Sequence, residues 1–407
     1  MTGQIKFSVV VSAYNVEEYL PGLLQDLLEQ TYNNFEVILV DDCATDQTGA
    51  VAESYLQAFR GKQADYVVIH KPENEGLSMA RNTGISHAAG DYILFLDADD
   101  GVEKTLLERL YHALDEQPAD MVVFGYTEDY YQKNALSYQV QKTPELYYFS
   151  DHIHDGAQGW KRPLAYAYPY IIELEHETMF GYAWNKAYRL SFLQEQKLQF
   201  QNIVHIEDIL FNVQAAGALQ SLLTLPDVLY HYANRGQSRL TDKYLPEYFA
   251  LQKTRVQAFL NMQMRKIQTV TEGMTKGETG GLENLDVGAW RMRLHEVMAG
   301  VYFRSFQSSM VRGIQHGDSK REVMARARAE LEGPLYGRLR RHLSEDGRVA
   351  KILYAPLVRG DISGAYRRAK EIDLGKRTYG GVCKVKTESV KRKKLTRNTY
   401  FPVSFFL

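Results

Sequence analysis

Cysteine is scarce in this sequence, which contains Cys43 and Cys383 among its 407 residues. Two thiols so far apart argue against a disulfide framework and are typical of reduced cysteines in a cytoplasmic protein. Long hydrophobic runs are lacking too, because no stretch reaches about 18 apolar residues, and the first residues show no signal-peptide pattern. We therefore expect neither a membrane-spanning helix nor secretion by that route.

Two phosphate-binding signatures are also absent. The turn after the first predicted strand does not contain G-x-G-x-x-G, and G-x-x-x-x-G-K-[ST] does not occur in the chain. These absences disfavour a Rossmann dehydrogenase and a P-loop nucleotide-binding protein. The hydrophobic fraction of 45% is nevertheless enough to fill two domain cores in a chain of this length.

The net charge of −2 conceals an uneven distribution of charge. Residues 376–407 contain nine Lys or Arg and one acidic residue, Glu388, whereas residues 1–375 contain 39 basic and 49 acidic residues. This basic tail predicts contact with an anionic membrane surface or an anionic polymer. The alternative is a solvated tail whose hydrophobic end packs on the body or on a neighbouring subunit. Nucleic acid is disfavoured as a partner because no recognition fold accompanies the tail.

Short apolar segments alternate with amphipathic segments through the first hundred residues. The predicted strands are Phe7–Val11, Phe35–Val40, Tyr66–Ile69 and Tyr92–Leu96. The segments between them carry apolar residues at helical spacing. This alternation predicts an α/β fold with a doubly wound, mostly parallel sheet. Helical spacing returns after residue 245 and predicts a helical C-terminal region.

Acidic residues follow the fourth predicted strand directly, in the stretch Leu96–Asp100. Ligands of open α/β sheets bind at the carboxyl ends of the strands. Carboxylates this close repel one another unless a cation or donors are present, and such hard oxygen ligands suit Mg²⁺ or Mn²⁺. These ions in turn suit diphosphates. The alternative is a solvated acidic turn.

Four segments now carry a family resemblance: Val9–Leu20, Val40–Asp46, Asn74–Asn82 and Gly90–Asp100. In this order and spacing they resemble successive motifs of the family-2 glycosyltransferases, and chance would hardly supply all four. The resemblance implies a GT-A fold, a nucleotide-sugar donor, a divalent metal (Mn²⁺ or Mg²⁺) and transfer with inversion at the anomeric carbon.

The resemblance assigns donor-binding roles along the strand ends. Tyr14 frames the base, Asp41 accepts a hydrogen bond from the ring N–H of a uracil-type base, and Arg81 neutralises the diphosphate. The other expected donor-binding residues are Ala13, Asn15, Glu17, Asn74, Asp97, Ala98, Arg235 and Ser238. Three alternatives stay open: Tyr14 as a packed aromatic, Asp41 as a helix cap, although Thr45 already offers one, and Arg81 as a surface salt bridge.

Metal binding is assigned, by the same resemblance, to Asp99 as a direct ligand and to His231 as a residue that completes the metal's ligands. A histidine between two tyrosines could instead be a core residue. Trp184 and Lys186 belong to a segment that, in the family, lines the acceptor pocket. An ordinary core position is the alternative for Trp184.

The pair Glu207-Asp208 resembles the Glu-Asp motif of the family, which opens a helix beneath the acceptor. Direct displacement needs a base that takes the proton of the acceptor hydroxyl. Because adjacent helical residues do not share a face, we assign the base to Asp208 and a sugar contact to Glu207. The alternative is an acidic pair favoured by the helix dipole.

The sequence therefore predicts three regions: a GT-A catalytic domain at 1–240, a helical region at 241–345 and a basic segment at 346–407. The expected function is an inverting, metal-dependent glycosyltransferase that uses a UDP-sugar, or less readily a GDP- or dTDP-sugar, and acts on a cell-surface polysaccharide, teichoic acid or lipid-linked acceptor. We expect it in the cytoplasm, where it could lie on the inner face of the membrane and form homo-oligomers through its C-terminal region. The alternatives are a catalytically silent nucleotide- or glycan-binding scaffold and a sugar-nucleotide pyrophosphorylase.

Overall fold

A computed structural model describes most of the chain. The described residues are 4–62, 64–132, 135–153, 160–235, 244–277, 280–343, 354–379, 382–384 and 400–402. They belong to two compact units. The first unit comprises residues 1–239 and 261–287, and the second comprises residues 240–260 and 288–407.

The first unit is built on one mixed sheet. Its strands are β1 (Phe7–Ala13), β2 (Phe35–Asp41), β3 (Asp65–His70), β4 (Tyr92–Asp97), β5 (Gly101–Val102), β6 (Met121–Gln132), β7 (Ala135–Lys142), β8 (Tyr147–Ser150), β9 (Lys161–Pro163), β10 (Lys186–Arg189) and β11 (Ser221–Asn234). The strand order is β3-β2-β1-β4-β10-β6-β11-β8-β9, with β5 paired to β11 and β7 paired to β6. The predicted α/β fold is confirmed.

Helices connect these strands. They are α1 (Leu20–Leu28), α2 (Thr48–Ser54), α3 (Leu56–Lys62), α4 (Leu77–His87), α5 (Leu106–Glu116), α6 (Ala167–His176), α7 (Leu190–Glu195) and α8 (Glu207–Ala218). Helix α4 packs closely on β1 because Gly84 has no side chain, and a Cβ atom there would collide with Val10. The helical segment between β2 and β3 begins at Thr48 and is divided into α2 and α3 at Tyr55.

The parallel strands β1 to β4 bring their carboxyl ends to one edge. Ala13 pairs in register with Asp41, and Asp41 pairs with His70. Ser12 of β1 pairs with Asp97 of β4 on the other side. The register therefore lines up the polar strand ends that the sequence singles out.

The C-terminal part of the chain is mainly helical, as predicted. Its elements are α9 (Tyr248–Thr275), α10 (Val287–His316), α11 (Lys320–Leu331), α12 (Pro334–Leu339), α13 (Ile362–Tyr379), β12 (Val382–Lys384) and β13 (Tyr400–Pro402). Ser319 and Glu322 form a reciprocal capping box that starts α11. Across the described residues, we find no helix long and apolar enough to cross a membrane.

Candidate active site

The first part of the site is the end of β2. Asp41 is buried, and its carboxylate accepts a hydrogen bond from the Ala44 amide at 2.9 Å and lies 2.8 Å from His70 Nδ1. This hydrogen bond, followed by one to Glu53, raises the pKa of His70. A Cβ atom at Gly49 would approach both Asp41 and His70, so glycine leaves room for the pair. Asp41 therefore orders the turn after β2, and it does not cap α2.

Two predicted donor-binding side chains also hold this turn. Asn15 Oδ1 accepts a hydrogen bond from the Thr45 amide at 2.8 Å, and Glu17 Oε2 accepts one from the Gln47 amide at 2.7 Å. Asn15 has a φ of 53°, a conformation that asparagine tolerates better than most residues. Asn15 and Glu17 thus shape the rim of the site by ordering the backbone.

An exposed aromatic ring lies beside this turn. Tyr14 is 46% exposed, whereas its neighbour Ala13 is buried. The packed-aromatic alternative therefore does not hold for Tyr14, and the ring is available for stacking. Asn74 donates to the Asp42 carbonyl at 3.1 Å, which links the loop before α4 to the end of β2.

Arg81 occupies the centre of the site. It is 1% exposed, and its guanidinium forms ion pairs with Asp97, at 2.9 Å, and with Asp208. Burial lowers the pKa of Arg81, but the Asp208 and Asp97 carboxylates more than offset this and raise it overall. This burial corrects both earlier interpretations, because the side chain is neither an open contact for a diphosphate nor part of a surface salt bridge.

The three aspartates after β4 differ in environment. Asp100 is buried and accepts hydrogen bonds from the Tyr230 hydroxyl at 2.6 Å and the Ala233 amide at 2.7 Å. Burial, followed by the Asp99 and Asp97 charges, raises the pKa of Asp100. Burial also raises the pKa of Asp97 to about 6, although Arg81 opposes the rise. Asp99 is the exposed member of the three.

This arrangement fits a divalent cation at Asp99. Its carboxylate faces solvent beside two more acidic groups, and their mutual repulsion would be relieved by a positive ion. Ala98, between Asp97 and Asp99, is buried. Over the described ranges, however, no three His, Cys, Asp or Glu side chains already form a metal-binding group.

His231 lies on β11 with both ring nitrogens engaged. Nδ1 is 3.0 Å from Thr127 Oγ1 and 3.1 Å from Asp129 Oδ2, and Nε2 is 3.0 Å from Glu103 Oε1. In this conformation both ring nitrogens are therefore engaged by neighbouring side chains. The role of His231 as a metal ligand stays a prediction.

Two acidic side chains begin α8, as the sequence predicts. Asp208 is held by Arg81 through one oxygen and by the Ala183 amide, at 2.9 Å, through the other. Glu207 differs, because its Oε2 is buried and makes no hydrogen bond to any described residue. Burial, together with the Asp208 charge, raises the pKa of Glu207 to about 7.

The loop formed by residues 179–183 is fixed by buried polar side chains. Lys186 is fully buried and donates to the carbonyls of Met179 and Tyr182, and burial lowers its pKa to about 7. Asn212 donates to the carbonyls of Phe180, at 2.9 Å, and Tyr182, at 3.0 Å. Lys186 therefore holds the 179–183 loop in place through its hydrogen bonds and is not exposed to an acceptor.

Trp184 lies inside an aromatic stack. Its ring is 2% exposed and nearly parallel to those of Tyr230 and Tyr182, with centroids 4.5 and 4.6 Å away. The core alternative fits this burial, and the expectation of an open face at Trp184 is corrected. Tyr182 is 37% exposed and presents the accessible ring of this stack.

Arg235 lies at the end of β11 and bridges to the aspartate cluster. Its guanidinium donates to the Asp99 carbonyl and lies 4.3 Å from the centre of the Tyr19 ring and 5.3 Å from that of Tyr131. These contacts bring it to the same edge as β4. Ser238 lies outside the described residues.

Sequence reasoning missed the supporting roles of Asn212 and Tyr230. Asn212 follows Asp208 by four residues on α8, a spacing that places both on one helix face and was available from the sequence. Tyr230 contacts Asp100 across 130 positions of chain, and no local pattern indicates such a pair.

Comparison with known proteins finds a family model that matches part of this chain. The profile described as "Glycosyl transferase family 2" matches residues 8–195, which span β1 to β4, α4 and the 179–183 loop. The chain contains a family-2 glycosyltransferase domain. EpsH and EpsJ of Bacillus subtilis are 31% and 30% identical to it over 229 and 246 residues, or 55% and 59% of this chain.

A further relative of this family-2 domain is the poly(ribitol-phosphate) beta-N-acetylglucosaminyltransferase TarS of Staphylococcus aureus, 26% identical over 242 residues, or 57% of this chain. The matched regions span 60% of EpsH, 64% of EpsJ and 36% of TarS. The crystal structure of TarS residues 1–349 with UDP-GlcNAc superposes with a TM-score of 0.58 at 20% identity and covers 98% of this chain and 99% of that chain. This likeness shows that the chain has the GT-A fold of TarS.

Proposed function

We propose that the protein is an inverting glycosyltransferase that moves a sugar from a UDP-sugar to a hydroxyl of a cell-surface polymer, such as a teichoic acid or polysaccharide, or of its lipid-linked precursor. The family-2 domain supports the reaction class. The acceptor named in the enzyme name of TarS and its complex with UDP-GlcNAc support the acceptor class and the donor by analogy.

The observation that carries this proposal is the buried link from Asp97 through Arg81 to Asp208. Asp97 ends the strand that leads to Asp99, and Asp208 begins the helix expected to lie beneath the acceptor. One guanidinium therefore joins the proposed donor side to the proposed acceptor side. Direct displacement requires such closeness, because the attacking hydroxyl and the leaving diphosphate must flank one anomeric carbon.

For the donor, we propose that the exposed ring of Tyr14 stacks on the base and that the edge around Asp41 and Asn74 accommodates it. Ala13, Asn15 and Glu17 shape this edge through the backbone. Arg235 contacts the diphosphate, and in this proposal Ser238 does so as well. UDP-sugars are favoured over GDP- and dTDP-sugars, following the resemblance at Asp41.

We further propose that Asp99 binds Mn²⁺ or Mg²⁺ directly and that Asp97 contacts the ribose or a water molecule bound to the metal. The bound cation would neutralise charge on the leaving diphosphate. Asp99 suits this role because it is exposed next to two other carboxylates. His231 could join only if it released its hydrogen bonds to Glu103 and Asp129.

For the base, we propose Asp208, with Glu207 contacting the sugar. Arg81 and the Ala183 amide orient the Asp208 carboxylate. Glu207 is the second candidate, because a pKa of about 7 suits a base near neutral pH. On the acceptor side, we propose that the ring of Tyr182 stacks on the acceptor, in the place that the sequence predicts for Trp184.

The two cysteines support a cytoplasmic location, where a nucleotide-sugar donor and a lipid-linked acceptor would meet. Peripheral contact with the membrane and homo-oligomer formation through residues 346–407 stay proposals that rest on the sequence of that segment.

The proposal is tested by UDP release from a panel of UDP-, GDP- and dTDP-sugars in the presence of Mn²⁺. We expect at least one UDP-sugar to be turned over and the Asp208→Asn variant to turn it over roughly a hundredfold to ten-thousandfold more slowly. Nucleotide binding without turnover of any sugar would instead support the silent scaffold. Formation of a nucleotide sugar from a sugar phosphate and UTP would support the pyrophosphorylase.

A further inference from the structure

A row of aromatic side chains runs from the candidate active site along one face of the sheet. Tyr126, Glu128 and Tyr130 alternate along β6, so their side chains project from the same face. On the neighbouring strand β11, Tyr230 pairs in register with Tyr126. Tyr232 pairs with Glu128, so it lies on that face as well.

The row begins at the ring already proposed to contact the acceptor. Tyr232 is half-buried, and its ring centre lies 6.3 Å from that of Tyr182, with 23° between the ring planes. The buried ring of Trp184 is nearly parallel to Tyr232 at 5.5 Å and supports it. Tyr182 and Tyr232 therefore form one partly accessible aromatic surface.

The row continues onto the paired strands β6 and β7. Tyr138 of β7 pairs with Tyr130 of β6, and their rings stack with centres 4.4 Å apart and 9° between the planes. Tyr138 is 47% exposed, and Val140, which pairs with Glu128, is exposed too. The Tyr130 hydroxyl donates to Glu128 Oε2 at 2.6 Å, which fixes a carboxylate beside the rings. We call Glu128, Tyr130, Tyr138 and Val140 the β6–β7 face.

The charged groups along this row disfavour a polyanion. Glu128 lies within the row itself. Lys142 of β7 is half-buried and lies 4.0 Å from the Glu177 carboxylate. Arg235, at the end of β11, donates to the Asp99 carbonyl on the proposed donor side. A chain of phosphates would therefore meet like charge at Glu128, while the Lys142 ammonium already faces another carboxylate.

We propose that the β6–β7 face, reached by way of Tyr182 and Tyr232, is an extended acceptor subsite that binds a neutral chain of sugar rings. A sugar ring has an apolar face of C–H groups and a rim of hydroxyls, which suit the flat face of tyrosine and the oxygens of a carboxylate. An acyclic polyol phosphate has no ring face and carries the charge that Glu128 repels. This inference rests on the proposed function for the word acceptor, and it narrows the acceptor class to a polysaccharide.

The dimensions of the surface fit a chain of sugars better than a single sugar. Tyr138 lies two strands away from Tyr232, because β6 separates β7 from β11. Two strand spacings and the offset of two residues along the strands place these positions about 12 Å apart. Tyr182 adds a further 6.3 Å between ring centres. A monosaccharide on Tyr182 therefore cannot contact Tyr138, whereas a longer acceptor can.

The experiment is calorimetric titration of the full-length protein with neutral linear oligosaccharides of glucose, galactose and N-acetylglucosamine, from the monosaccharide to the hexasaccharide. We expect at least one sugar type to bind the parent more tightly as its chain lengthens. Tyr138→Ala should bind that hexasaccharide roughly twofold to tenfold more weakly, with the affinity for the monosaccharide unchanged. Tyr138→Phe keeps the ring and should bind as the parent does.

The matched control is Tyr111→Ala on α5. Tyr111 is half-buried and also belongs to a stacked pair, with its ring centre 4.9 Å from that of Tyr32, but it lies outside the row. We expect this variant to bind as the parent does. Equal weakening in Tyr111→Ala and Tyr138→Ala, or parental binding in Tyr138→Ala, would overturn the proposal. Absence of binding by every oligosaccharide would overturn it too.

Two further measurements separate a sugar chain from other occupants of the face. Glycerol phosphate oligomers of matched length should bind more weakly than the oligosaccharides, and tighter binding would overturn the proposal in favour of a polyol phosphate. Sedimentation velocity should give the parent and Tyr138→Ala the same oligomeric state. A dimer that Tyr138→Ala dissociates would assign the face to a second copy of this chain. Oligosaccharide binding as expected, with no UDP-sugar turned over, would contradict the proposed function and leave the binding site standing.

Discussion

Two acidic clusters meet at the edge of the sheet, and they are built differently. The cluster after β4 places Asp97, Asp99 and Asp100 at the end of a buried strand, with Asp99 exposed. The cluster at the start of α8 places Asp208 between Arg81 and a backbone amide. An exposed carboxylate is free to bind an ion, whereas a carboxylate held at both oxygens has a fixed orientation. In the proposed function, the cluster after β4 therefore binds the cation and the cluster at the start of α8 orients the base.

The largest effect should come from Asp208→Asn. The amide keeps the shape of the side chain but removes its basicity, so we expect turnover to fall by roughly a hundredfold to ten-thousandfold with donor affinity unchanged. Steady-state UDP release and calorimetric titration of UDP measure the two quantities. Asp115→Asn, an exposed position on α5, is the matched control and should behave as the parent does. Near-parental turnover in Asp208→Asn would transfer the role of base to Glu207.

Removal of the link between the clusters should destabilise the fold. Arg81→Met leaves Asp97 and Asp208 without their shared cation, and breaking a buried ion pair typically costs about 3–5 kcal/mol. Urea unfolding monitored by circular dichroism gives the change in free energy. The control is Arg109→Met, which breaks the more exposed pair with Asp227 and should cost at most about 1 kcal/mol. Equal losses in the two variants would show that Arg81 is not a buried link.

The pH dependence of stability sharpens the comparison inside the α8 cluster. The pKa of Glu207 is raised to about 7 in the folded protein by burial, so the protonated side chain favours the folded state. This contribution is fully present below the unfolded pKa of 4.5 and is lost as the pH rises through about 7. Glu207→Gln should therefore gain up to about 3 kcal/mol over the parent between pH 5 and pH 8. Parallel pH profiles of unfolding free energy would contradict the raised pKa.

The strand ends are the part of the site that the sequence predicts well. The sequence predicts Asp41 and Asp97 at one edge, and the parallel register brings them there. Short apolar strands followed by polar residues leave little freedom, since parallel strands must end on the same side. The start of α8 at Glu207 follows for a similar local reason, because acidic residues favour a helix N-terminus.

Burial is the part that the sequence does not predict. Tyr14 and Trp184 both present flat rings in strand-end motifs, yet one is exposed and the other lies in a stack with Tyr230. Arg81 is buried and pairs with Asp208, which lies 127 residues further along the chain. His231 contacts Glu103, which lies 128 residues before it. Side-chain type and local spacing do not indicate which distant residues a side chain will contact. An exposed position that can bind a ligand and a buried position in the core therefore look alike in the sequence.

The account assigns metal binding to the cluster after β4 and base catalysis to the cluster at the start of α8. The most direct test is calorimetric titration of UDP, with and without Mn²⁺, into the parent, Asp99→Ala and Asp208→Asn proteins. The account predicts that Mn²⁺ increases UDP affinity in the parent and in Asp208→Asn, and that Asp99→Ala loses this increase while its fold survives. A parental response to Mn²⁺ in Asp99→Ala, or a loss of that response in Asp208→Asn, would contradict it.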